Sequence, residues 1–266
     1  MVLTPIQIGA FVIAGLFAGV LAGLLGIGGG TVLVPILITL GYSPIQAVAT
    51  SSLSIIITSL SGSIQNWRMG YLDFKRVLLL GLPAVITAQV GVLVASALPQ
   101  SMLLLAFALL LLLNIYLVGV RKQLAKKSTS DAPGSSTKAI MNPTAARVLT
   151  GGIAGFLAGL LGIGGGVIMV PLQMLLLGET IKRAIQTSLG VIVLTAIAST
   201  FGHALQGNVV WIGGTILGFG GLIGAQLSTR LLPKLPDQVV SLLFRTLLAV
   251  LIVYTLWQAW QQTAIS

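Results

Sequence analysis

The amino-acid sequence predicts an all-α polytopic membrane protein made of two inverted repeats, each a re-entrant, glycine-tipped helix hairpin followed by three transmembrane helices. Three observations carry this expectation. The chain of 266 residues is 56% hydrophobic and 7% charged, with a mean hydropathy of +1.07. The ten-residue block LAGLLGIGGG occurs twice, at 21–30 and 157–166. The lysines and arginines gather at every second connection between apolar segments.

Composition excludes several classes first. A soluble domain of this size needs far more charge to cover its surface. The net charge of +10 would suggest nucleic acid in a soluble chain. In a membrane protein, basic loops set orientation and meet anionic headgroups, so nucleic acid is not expected as a partner and the lipid bilayer is. Cysteine is absent, which removes disulfides, thiolate metal sites and a cysteine nucleophile. The first apolar segment has no positive n-region before it and reads as a retained part of the fold, not a cleaved leader.

The repeat divides the chain. At an offset of 136 residues, Leu21–Gly30 matches Leu157–Gly166 throughout, Val34-Pro35 matches Val170-Pro171, and Ser52-Leu53 matches Ser188-Leu189. One inserted residue later, Gly81 matches Gly218, Ala88-Gln89 matches Ala225-Gln226, and Leu98-Pro99 matches Leu235-Pro236. Duplication follows. The expected units are a first membrane repeat over 1–120, a solvated linker over 121–143 rich in Lys, Ser, Thr, Pro and Gly, and a second repeat over 144–266.

Each copy shows five apolar segments, at 6–25, 31–40, 45–66, 77–97 and 101–120, then at 147–161, 167–177, 184–204, 209–229 and 238–260. The second of each set is short, about 16 Å of helix, or half the hydrocarbon core. The glycine block immediately precedes it, which fits a re-entrant hairpin with its tip near mid-membrane. The longer segment 6–25 could begin on the surface or tilt.

Parity and charge set the orientation. A hairpin returns the chain to its starting side, so each copy crosses an odd net number of times and the copies are inverted. With the linker cytoplasmic, the basic turns Arg68–Arg76, Gly178–Arg183 and Arg230–Asp237 also fall inside. Arg147 lies one turn past the linker and Arg245 just within the last segment. The turns expected outside, Gly41–Pro44, Ala97–Ser101 and Leu205–Asn208, hold no Lys or Arg. The positive-inside rule then puts both termini on the periplasmic or extracellular side of a cell (inner) membrane, the arrangement of inverted-repeat secondary transporters.

Several residues are candidates for chemistry. Gly28, Gly29, Gly30 and Thr31, with Gly164, Gly165 and Gly166, would expose backbone N–H groups at the N-termini of the short helices, where anions bind. The competing reading is close helix packing through small residues. A dinucleotide-binding reading fails, because the pattern is GxGGG and no acidic residue follows about 20 positions on. Thr50, Ser51 and Ser52, and at the same offset Gln186, Thr187 and Ser188, place polar side chains in apolar helices. They either line a central anion site or bond back to their own helix. Gln89 and Gln226 repeat as site residues or as interhelical hydrogen bonders. His203 and Arg245 are weaker candidates for gating or coupling, against local bonding and snorkelling respectively.

What is missing also narrows the function. Asp73, Asp131, Glu179 and Asp237 all fall in turns or the linker. Cation-coupled carriers use buried carboxylates, so an anion is the better-matched substrate. Export of an anion from a negative interior is favourable by about 2.3 kcal/mol per charge per 100 mV and needs no coupling ion. No nucleophile–base or metal constellation is visible within the segments, so an enzyme is not expected, nor is a metal or other cofactor.

The paired GLLGIGGG blocks, the Val-Pro that follows, the Ala-Thr-Ser-Ser-Leu cluster and the duplicated Ala-Gln and Leu-Pro positions resemble the TauE/SafE sulfite exporter family. The resemblance implies a permease for small sulfur-containing anions: sulfite, thiosulfate, sulfoacetate or related organosulfonates. Carried over residue by residue, it points to Gly28–Thr31, Thr50–Ser52, Gly164–Gly166 and Gln186–Ser188. The leading expectation is export of sulfite or an organosulfonate; the alternative is uptake, or a channel-like pathway, for thiosulfate, sulfate or another small anion. The partners expected are that anion and the bilayer, with a homodimer left open.

Overall fold

A computed structural model describes residues 5–113 and 142–265 of the chain. Most of the expected linker, 121–141, and residues 114–120 of the first copy lie outside the described residues. Among the described residues ten α-helices follow one another: α1 (Pro5–Leu25), α2 (Gly30–Thr39), α3 (Pro44–Arg68), α4 (Phe74–Ala97), α5 (Gln100–Leu113), α6 (Pro143–Leu161), α7 (Gly166–Leu176), α8 (Ile181–Leu205), α9 (Trp211–Leu231) and α10 (Asp237–Ile265). Among the described residues there is no strand.

The helix ends follow from local chemistry. Ser43 and Gln46 form a capping box at α3, with Pro44 in the first turn. Asp73 caps α4 by accepting from the Arg76 N–H, and Thr180 caps α8 by accepting from the Arg183 N–H. Asn142 does the same for α6 from the Thr144 N–H.

Among the described residues, five helices are long and apolar enough to cross a membrane: α1, α3, α4, α6 and α8. The first arm of each hairpin is therefore full length, while α2 and α7, at 10 and 11 residues, are not. Helix α9 is equally long at 21 residues, but six glycines dilute its hydropathy. Along α4, Leu78, Leu82, Ile86, Val90 and Leu93 form one stripe, each between 49% and 69% exposed. An apolar stripe of this length belongs against acyl chains.

The interior is assembled by very close helix crossings. Gly15 and Gly19 of α1 lie against the backbone of Leu217 and Gly221 in α9. Gly151, Gly155 and Gly159 of α6 lie against Leu80, Ala84 and Ala88 in α4. At each of these glycines a Cβ would overlap a backbone atom of the facing helix. Without a hydrophobic drive between helices in lipid, such approach is what holds a bundle together.

The sequence of contacts along each pair gives the helix directions. Residues 15, 19 and 23 of α1 meet 217, 221 and 225 of α9, so the two helices are parallel. Helix α3 runs with α9, since Ser61 Oγ donates to the Leu222 carbonyl and Arg230 Nε donates to Gln65. Helix α8 runs with α4, from Gly190 beside Val77 to Gly202 beside Gln89. Helices α3 and α8 oppose each other, with Ser52 facing Ser199 at one end and Gly62 facing Leu189 at the other. Thus α1, α3 and α9 run one way and α4, α6 and α8 the other.

The α4–α6 crossing yields a direct test. Gly155→Val should lower stability by about 3 kcal/mol or more, the upper end of overpacking costs, because the obstruction is backbone that has no rotamer to move. Gly152→Val, whose Cβ meets only the Thr87 methyl at 3.8 Å, should be tolerated. Thermal unfolding of the two purified variants in detergent reads the difference.

Candidate functional site

The two glycine blocks form matching turns. Gly26, Gly28 and Gly29 have φ of 65°, 77° and 84°, and Gly162, Gly164 and Gly165 have 64°, 72° and 81°. Only glycine adopts three such values within four residues without strain. Gly29 and Gly165 are the N-caps of α2 and α7, and no side chain caps either helix. Ile27 and Ile163 point inward and are buried, anchoring each turn.

These turns meet each other. A Cβ on Gly30 would overlap the Gly162 carbonyl, and one on Gly166 would overlap the Gly26 carbonyl. Gly28 and Gly164 both lie under the methyl groups of Ile55 and Ile192. Serine hydroxyls tie the tips to the long helices. Ser51 Oγ donates to the Gly162 carbonyl at 2.9 Å, and Ser188 Oγ donates to the Gly26 carbonyl at 3.0 Å. Thr195 Oγ1 reaches the Gly164 carbonyl at 3.0 Å. Ser52 bonds back to the Val48 carbonyl and faces Ser199 at 3.1 Å. The Thr31 hydroxyl is fully buried there without a partner.

These bonds correct the repeat alignment. Ser51 and Ser188 make the equivalent contacts, and Ile55 and Ile192 occupy equivalent places, so α3 and α8 correspond at an offset of 137. The pairing of Ser52 with Ser188 is therefore one residue out of register. The inserted residue lies in α7, which has 11 residues where α2 has 10. A one-residue slip on a helix rotates a side chain by about 100°. Thr50 corresponds to Thr187, Ala49 to Gln186, and Asn66 to His203.

The remaining expected residues disperse. Thr50 is fully buried at one end of α3, where its hydroxyl accepts from the Val210 N–H at 3.1 Å. Gln186 and Thr187, 7% and 3% exposed, lie at the other end and line a cavity of about 220 Å³ with Gly70, Asp73, Arg76 and Arg183. Neither of these two side chains has a hydrogen-bond partner among the described residues. Gln89 Nε2 donates to the Ala198 carbonyl at 2.7 Å, an interhelical bond, and Gln226 is half-buried on α9. His203 is fully buried, with Nε2 at 3.1 Å from the Gly159 carbonyl. Arg245 lines a separate groove with Asp237 and Ser241.

Sequence reasoning missed the charged residues beside the cavity. Arg76 Nη1 donates to Glu179 Oε1 at 2.7 Å and Arg76 Nε pairs with Asp73 at 2.9 Å, while Arg183 lies 3.8 Å from the other Glu179 oxygen. They sit in turns and read there as orientation signals. Asn66, fully buried with both ends of its amide unpartnered, was also missed. The 137-residue offset would have paired it with His203. Among the described residues no three His, Cys, Asp or Glu side chains converge as metal ligands.

Comparison with known proteins fits this geometry. The sequence model of the sulfite exporter TauE/SafE family matches residues 11–255. The chain is 28% identical over 255 residues to the probable membrane transporter protein YunE of Bacillus subtilis, covering 89% of this chain and 93% of that protein. It is 29% identical over 199 residues to the probable membrane transporter protein MJ0441 of Methanocaldococcus jannaschii, covering 72% and 70% respectively. Over 81 residues it is 33% identical to sulfite exporter TauE/SafE family protein 1 of Arabidopsis thaliana, 30% of this chain and 18% of that one. It is a multi-pass membrane protein, and it belongs to the sulfite exporter TauE/SafE family of membrane transporters.

Proposed function

We propose that this protein is a secondary permease that exports a small sulfur oxyanion, sulfite or an organosulfonate such as sulfoacetate, across the cell inner membrane. The observation that carries this reading is the pair of buried, unpartnered polar side chains, Gln186 and Thr187, open to a cavity that two arginines line. Amide and hydroxyl donors solvate an anion without a buried counter-charge. The acidic residues Asp73, Glu179 and Asp237 stand at helix ends, away from the middle of the bundle, so a cation finds no relay there. The family's description names sulfite.

The architecture proposed is a pair of inverted repeats. The opposed directions of α3 and α8, and of α1 and α6, support it, as do the two tips meeting between them. On this reading the basic ends of α3, α4, α8 and α9 are cytoplasmic and both termini are outside. The cavity at Gln186 and Thr187 then opens toward the cytoplasm, while Thr50, at the equivalent outer position, is closed by Val210.

Two measurements test this. In vesicles loaded with sulfur-labelled sulfite, purified protein should release the label, and an interior-negative potential should speed release, since each charge moved gains about 2.3 kcal/mol per 100 mV. Release that ignores the potential overturns the electrogenic carrier, and no release overturns the permease. For orientation, the chain's lack of cysteine allows single reporters at exposed positions. Gln100→Cys should react with an impermeant maleimide on intact cells, and Lys75→Cys only after permeabilisation; the reverse pattern inverts the topology.

A further inference from the structure

The two ends of the α3–α8 pair are built on one plan but differ in charge. At the 137-residue offset, Glu179 corresponds to Tyr42, Arg76 to Gly213, Arg183 to Gln46 and Gln186 to Ala49. The contacts correspond too. Arg76 reaches Glu179 at one end, and a Cβ at Gly213 would lie 3.7 Å from the Tyr42 hydroxyl at the other. The outer end thus holds no charge at the positions where the inner end holds three. Duplication explains the shared plan but not the charges, which stand at one mouth only.

The arrangement at the charged mouth resembles a filled anion site. One carboxylate, 13% exposed, engages both guanidiniums, at 2.7 Å from Arg76 and 3.8 Å from Arg183. The same guanidiniums line the cavity that ends on Gln186 and Thr187. Guanidinium forks take carboxylates and sulfur or phosphorus oxyanions with the same geometry. The Gln186 amide and the Thr187 hydroxyl have no protein partner among the described residues and face that cavity, where they are available to a ligand.

We propose that Arg76 and Arg183, with Gln186 and Thr187 beneath them, form the inner receiving site for a small tetrahedral or pyramidal oxyanion, and that the Glu179 carboxylate is its internal stand-in, displaced when the anion enters. This rests on the permease reading and adds to it the place and order of loading. An entering anion takes over Arg76 and Arg183 from Glu179, which swings out with the α7–α8 turn. It then accepts from Gln186 and Thr187. Displacement makes entry competitive: with Asp73 also paired to Arg76, two carboxylates balance the two guanidiniums when the site is empty, and the anion is not held so tightly that it cannot leave.

The test uses the full-length protein and sulfite, with sulfate as an unreactive second probe. Calorimetric titration of purified protein reads binding, and efflux from vesicles reads the half-saturating internal concentration. Glu179→Gln should tighten binding and lower the half-saturating sulfite about tenfold, because the competitor loses its charge. Arg76→Gln should weaken binding and raise the half-saturating sulfite about tenfold, because a guanidinium fork is lost. Tyr42→Phe, the change at the corresponding outer position, should move neither. A wild type that transports while both inner variants keep wild-type binding and half-saturation overturns the receiving site and leaves the permease standing. A wild type that binds sulfite with these shifts but moves none keeps the receiving site and overturns the permease. If Glu179 is only a staple between turns, Glu179→Gln lowers the melting temperature without tightening binding, and the proposal fails.

Discussion

Gly30 and Gly166 lie where two hairpin tips touch, each so close to the other tip's carbonyl that no side chain fits between. Most of the fold follows from this contact. For the tips to meet, α1 and α6 must each enter the bundle deeply, and they do so by lying on α9 and α4 with glycine against backbone. Each copy's hairpin is therefore held by a helix of the other copy. The two halves form one interlocked body whose stability resides in van der Waals contact and in hydroxyls that serve the tip carbonyls.

The close packing of the centre changes what the tips contribute. The sequence predicts N–H ends that hold an anion directly, yet in this conformation Ser51 and Ser188 hold the facing carbonyls and Ile55 and Ile192 cover the glycines. A transporter needs a thin, well-sealed barrier between its two mouths, and two backbones in contact are the thinnest that a protein can build. A cavity lies to one side, at Gln186 and Thr187, beside Arg76 and Arg183.

The asymmetry between mouths follows from where each copy's equivalent turn ends up. On the proposed inverted arrangement the two copies present one backbone plan to opposite compartments, so the difference between them lies in side chains. Thr50 is capped by the Val210 N–H at one end. Its counterpart Thr187 faces a cavity at the other, beside an ion-paired cluster of Asp73, Arg76, Glu179 and Arg183. The longest of these pairs, Arg183 with Glu179 at 3.8 Å, has an exposed guanidinium and contributes little to stability by itself.

Hydropathy, the doubled glycine block and the spacing of basic turns were enough to read a helical membrane protein of two related halves, because those features depend only on solvent and chain direction. The block's glycines were legible as candidates because they recur in both copies, and the serines near them because they interrupt apolar helices. The register of α3 against α8 was not legible. One residue added within α7 shifts the correspondence of every later residue by one, a mispairing of about 100° around a helix, and sequence identity favoured Ser52 over Ser51 as the partner of Ser188. Nor could the sequence alone show that Arg76 and Arg183 share one cavity with Gln186, or that Glu179 pairs with both arginines, since Arg76 comes from a turn of the other copy. Their meeting depends on how the interlocked hairpins bring the α3–α4 turn over the start of α8, and only the packing of glycine on backbone sets that distance.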